Sequence, residues 1–230
     1  IFFSISALLS IILLLSPPTC QCYMENWLSI SVISYARLIL TFLAVISIGY
    51  FLTRIFIGEH LTELCSIIVF STVTGISASI ILTLLSIVAT GTLNELIIPF
   101  TAAILAAIYI TLKKGFGKAT VELNPVLSSL FSVFILLLYV STMEGFIPFY
   151  DMWTHYTQTM HILLHGTLTL SKTNMFHAFL ACLVKLSSFP EVNMFTILNL
   201  IGFLPTLAFY TFAKAIKPSS KVANLATILF

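Results

Sequence analysis

Ionisable side chains are scarce in this chain, and they gather in one place. Four of the five histidines lie between His155 and His177, and the single aspartate, Asp151, stands just ahead of them. Asp151 and His155 are four residues apart, one turn of a helix, so both belong to one face. A carboxylate beside an imidazole is suited to general-base work: the carboxylate takes a proton, and the histidine orients it or passes the proton on. Histidine and carboxylate are also metal ligands. No H-E-x-x-H or comparable pattern is present, however, and His161 points somewhat away from His155 on a helical wheel, so no metal site is assigned.

These residues need a helix to position them. At about 100° per residue, Asp151, His155, Gln158 and His165 fall near one line, with His161 at the edge of that face. Met152, Trp153, Tyr156, Met160, Leu163 and Leu164 fall opposite. Gly166 follows as a C-cap. An apolar side rich in Trp, Tyr and Met suits the membrane–water boundary, so an external interfacial helix is expected over 151–166. The same polar face also reads as the wetted side of a surface helix without chemistry, and spacing alone leaves both readings open.

The composition sets the medium. The chain of 230 residues is 59% hydrophobic and 8% charged, with a mean hydropathy of +1.11. Soluble domains carry about 25% charged residues, so this is an integral membrane protein. A net charge of +2 without a basic cluster gives no nucleic-acid partner. No P-loop and no G-x-S-x-G occur, which sets aside an ATP-driven machine and an esterase-like triad. Cys65 and Cys182 sit singly in apolar runs as packing residues. Cys20 and Cys22 form a C-x-C that nothing nearby completes as a metal site.

About seven spans are expected in an all-α, polytopic transmembrane helical bundle with two external interfacial helices. They run over about 1–16 (the tail of a spanning helix or, alternatively, the apolar core of a signal peptide), 33–52, 63–89, 96–112, 126–143 and 192–213, with a last one opening at Val222. Thr62 is expected as the N-cap of the third, with Glu63 in its first turn, and Gly75 and Ser79 form a small-xxx-small pair for close helix packing. Met175 to Leu186 is apolar but only about a dozen residues long, where a span needs roughly 20; it is expected as a second interfacial or re-entrant helix, over 175–188. Placing Arg54, Lys113, Lys114, Lys118, Lys214, Lys217 and Lys221 in the cytoplasm satisfies the positive-inside rule. The Asp151 helix then faces the exterior or periplasm of a multi-pass cell-membrane protein. Lys172 and Lys185 either meet a lipid phosphate or snorkel, and Arg37, near or inside a span, needs a partner or must snorkel. The chain opens on Ile1 and stops at Phe230 inside an apolar run, so it is expected to be part of a longer protein.

The order of parts carries a resemblance. A span leads to Asp151-x-x-x-His155, which opens an external helix ending in Gly166. The short apolar helix of 174–188 follows, then the 198–217 region ending in lysine before a further span. From about Phe131 to Phe230 this resembles the start of the GT-C superfamily of polytopic membrane glycosyltransferases. Residues 1–125, with about four spans, are similar to prokaryotic multi-span regions that precede such modules, and 126–230 would be the beginning of the module itself. The resemblance implies transfer of a sugar from a polyprenyl-phosphate donor to an acceptor on the outer face, with an acid in the first large external loop as base or metal-linked acid. Asp151 matches that position. His155 would orient it, and Gln158, His165, Lys172 and His177 would line the substrate cavity. The resemblance admits a divalent metal as cofactor, and membrane lipids are the surrounding partners. The paired-acid version of the motif is absent, because Met152 follows Asp151. A transporter or lipid-binding protein without glycosyl transfer is the alternative; it should carry ionisable residues near the middle of its spans.

Overall fold

The computed structural model describes residues 32–58, 62–114, 120, 125, 150–166, 175–189, 203–219 and 221–223; at 32, 33, 114, 150–153 and 203 it describes the backbone alone. The described residues are helical throughout apart from short turns and one isolated bridge. The main helices are α1 (Val32–Phe56), α2 (Leu64–Thr90), α3 (Ile97–Lys114), α4 (Tyr150–His165), α5 (Met175–Ser187) and α6 (Phe203–Ile216), with a 3-10 turn at Asn94–Leu96 before α3.

Three of these helices are long and apolar enough to cross a membrane: 34–56, 64–90 and 94–113. They match the second, third and fourth expected spans to within a few residues at each end. The expected spans at 1–16, at 126–143 and from 222 onward lie outside the described residues, apart from isolated positions, as does the first half of the span at 192–213. Its described half is α6, 14 residues long. Among the described residues the count is therefore seven helices, including the 3-10 turn, and three spans rather than seven.

α1 and α2 form an antiparallel pair whose backbones nearly touch. A Cβ added at Gly49 would lie 1.7 Å from the Ser71 carbonyl oxygen, and one at Gly75 would lie 2.2 Å from that of Val45. Glycine lets two helices approach to dispersion contact where lipid tails provide no hydrophobic drive. The expected small-residue face at Gly75 and Ser79 is thus the packing face, with Gly49 as its counterpart. Thr74 Oγ1 donates to the Gly49 carbonyl at 2.9 Å and lies 3.0 Å from Thr53 Oγ1. Other buried hydroxyls on α2 return to their own backbone: Thr72 to Ile68, Ser79 to Gly75 and Thr83 to Ser79, each at 2.8 Å. Such back-bonding satisfies a hydroxyl where water is absent.

The start of α2 departs from expectation. Glu63, not Thr62, occupies the N-cap position, and its side chain makes no cap hydrogen bond. The carboxylate instead pairs with Lys214 of α6 at 2.8 Å. The Thr62 carbonyl accepts from the Thr120 amide at 2.8 Å, and the Leu64 amide donates to Thr120 at 3.0 Å, so the chain after α3 is tied to the start of α2. Arg54, at the end of α1, lies at the same end of the α1–α2 pair as Glu63 and Lys214. Gly91 closes α2 at the opposite end with φ 69°.

α5 sits among α1, α2 and α4. Ten of its thirteen residues are buried, from His177 through Ser187 except Lys185. Phe179, Leu180 and Leu183 join Leu38, Phe42, Val45, Phe100, Ile104 and Ile162 in one core. Of the two readings of 175–188, interfacial or re-entrant, this burial does not fit a helix lying on the surface of the bundle. The helix is too short to span, and from His177 onward only Lys185 escapes cover by its neighbours.

Candidate functional site

α4 and α5 bring two of the expected site residues together. His155 Nδ1 lies 2.7 Å from His177 Nε2. His177 is 1% exposed, and His155 is half-buried with the Phe176 ring edge-on, 5.9 Å between centres. The two imidazole planes are tilted by 33°. One of the facing nitrogens must carry the hydrogen and the other accept it, so the pair is a ready path for a proton between helices.

The register of α4 explains the contact. Thr159 and Ile162 are wholly buried, and His155, Thr159, Ile162 and Gly166 follow the 4-3-4 spacing of a helix seam. Thr159 Oγ1 donates to the His155 carbonyl at 2.9 Å, so its hydroxyl is satisfied inside the seam. The seam runs between the two faces expected from the sequence. His155 belongs to the buried side, while Leu164, expected on the apolar side, is 70% exposed. At the far end, Gly166 takes φ 60°, and an added Cβ there would lie 2.3 Å from the Gly91 carbonyl oxygen. The end of α4 thus abuts the α2–α3 turn. Lys185 reaches the same turn, donating to Asn94 Oδ1 at 2.8 Å.

The remaining candidates divide. Gln158 is half-buried and His165 is exposed; His165 lies against His161 instead of His155, with ring centres 4.9 Å apart. Asp151 lies in the first turn of α4, four residues before His155, and its side chain lies outside the described residues; so does Lys172. Arg37 is 5% exposed inside α1, so it does not snorkel. Among the described residues no three His, Cys, Asp or Glu side chains are grouped to hold a metal ion. Thr159 and Phe176 were not singled out from sequence, although the spacing from His155 to Gly166 carries the signal for Thr159. Comparison with known proteins adds no relative: no family model matches the chain, and no curated protein or solved structure matches it.

Proposed function

We propose that this chain belongs to a membrane glycosyltransferase that moves a sugar from a polyprenyl-phosphate donor to an acceptor hydroxyl on the outer side of the membrane. The observation that supports this reading is the His155–His177 contact, which joins the two helices carrying the candidate residues one turn from Asp151. In the proposed reaction the Asp151 carboxylate takes the acceptor proton as the acceptor oxygen bonds to the anomeric carbon. The bond from that carbon to the phosphate oxygen breaks, and polyprenyl phosphate leaves with the electron pair. His155, held by His177, orients the acid or receives its proton. Gln158 and Lys172 contribute to the sugar and phosphate cavity in this scheme, and His165 lines its mouth; a divalent metal would help neutralise the leaving phosphate.

The test is transfer of labelled sugar by the full-length protein in liposomes loaded with polyprenyl-phosphate sugar. Asp151→Asn should lower turnover by about 10²–10⁴-fold with unchanged helical circular dichroism. Retention of wild-type turnover by that variant removes the reading.

A second reading has its own support. Arg37 and His177 are ionisable and buried within the bundle, as expected of a transporter or lipid-handling protein whose polar groups line a route. Proton-coupled flux into the same liposomes, lost on His177→Phe without any sugar transfer by the wild type, favours this reading over the first.

A further inference from the structure

The second histidine pair of α4 is separate from the first. His161 and His165 are both exposed, four residues apart, with ring centres 4.9 Å apart and planes inclined by 55°. A ring nitrogen about 2.0–2.1 Å from a zinc ion puts the ring centre about 3.2 Å from it, so two rings subtending about 90–109° have centres about 4.5–5.2 Å apart. The observed separation lies inside that range. His161 and His165 share the i, i+4 spacing of the histidines in helical zinc sites, although Ile162 stands where H-E-x-x-H has its glutamate.

The position adds an independent preference for a cation. His165 is the last residue of α4, and Gly166 closes the helix through its amide to the Ile162 carbonyl at 3.0 Å. The carbonyls of a last turn concentrate the negative end of the helix dipole. Neutral imidazole pairs select zinc, nickel and copper over magnesium and calcium, which prefer oxygen ligands.

We infer that His161 and His165 form an exchangeable surface site for a borderline divalent transition metal, with water completing its coordination. The site lies beside the α2–α3 turn and shares His165 with the mouth of the proposed cavity, but Zn2+ binding is read without turnover and so fails or stands separately from Asp151. It is tested by calorimetric titration of the full chain in detergent micelles with Zn2+, in a Cys20→Ser/Cys22→Ser background that removes the competing thiols. One Zn2+ should bind and Mg2+ should not. His161→Ala and His165→Ala should each weaken Zn2+ binding by about tenfold or more. His161→Cys should restore it, because a thiolate is also a zinc ligand. Both side chains are exposed, so unchanged circular dichroism accompanies each variant. Absence of saturable Zn2+ binding by the parent, or binding by both alanine variants as tight as the parent's, overturns the assignment.

Discussion

His155 Nδ1 and His177 Nε2 face each other at 2.7 Å across the contact between α4 and α5, which couples the tautomers of the two rings. If His155 carries hydrogen on Nδ1, His177 must present a bare Nε2, and the converse holds equally. A single proton can therefore sit on either ring without breaking the contact. Hydrogens on both facing nitrogens would set two donors against each other.

The coupling predicts non-additive mutations. His177→Phe alone removes the ring that faces the half-buried His155 Nδ1, and His155→Phe alone removes the ring that faces the buried His177 Nε2. Each should destabilise the protein by about 1–3 kcal/mol. The double substitution should cost less than the sum of the two, with an interaction energy of about 1 kcal/mol. Denaturant titration in mixed micelles measures all four corners of the cycle. Strict additivity would show that the rings do not bond.

The glycines at the α1–α2 crossing predict a steep contrast. Gly49→Ala and Gly75→Ala drive a Cβ into backbone atoms of the facing helix, at 1.7 and 2.2 Å from carbonyl oxygens. Backbone cannot yield as a flexible side chain does, so each should cost about 4 kcal/mol or more and separate the helices. Gly91→Ala meets nothing within 4 Å and strains only its φ of 69°, so it should cost about 1 kcal/mol. Comparable losses at all three positions would contradict the crossing.

These contrasts bear on what the sequence could reveal. The three described spans were legible because a run of about 20 apolar residues has no other stable place. Gly75 and Ser79 were legible as a packing face because small residues have a definite use between helices in lipid. The facing of α4 was not. In water a polar stripe marks the outside, but here Thr159 is buried with its hydroxyl bonded to the His155 carbonyl, while Leu164 stands exposed. In and near lipid, apolarity does not distinguish the outside of a bundle from its core. α5 misled for a related reason: its length excludes a span, and no residue of Met175–Ser187 indicates that three neighbours enclose it.

Ser71 predicts a gain where a loss is usual. Its hydroxyl is wholly buried and finds no hydrogen-bond partner among the described residues, unlike Ser79, whose hydroxyl reaches the Gly75 carbonyl at 2.8 Å. Removing an unsatisfied buried hydroxyl relieves its desolvation cost and leaves only a small void. Ser71→Ala should therefore be neutral or stabilising by up to about 1 kcal/mol, while Ser79→Ala should destabilise by about 0.5–1.5 kcal/mol. Unfolding midpoints in one micelle system decide the order. The reverse order would mean that the Ser71 hydroxyl is bonded after all.

Glu63 and Lys214 predict a salt-sensitive tie between α2 and α6. The ion pair measures 2.8 Å, with side-chain exposures of 38% for Glu63 and 17% for Lys214. Solvent reaches the carboxylate, so Glu63→Gln should cost at most about 1 kcal/mol at low ionic strength and progressively less as salt rises. At the end of its aliphatic stem, the Lys214 ammonium also lies over the Tyr210 ring, 5.7 Å from the ring centre. Lys214→Met keeps that stem and removes only the charge, whereas Lys214→Ala removes both and should cost more. If Lys214→Met matched Lys214→Ala and its cost did not change with salt, packing of the stem would be excluded as the difference and electrostatics as the tie.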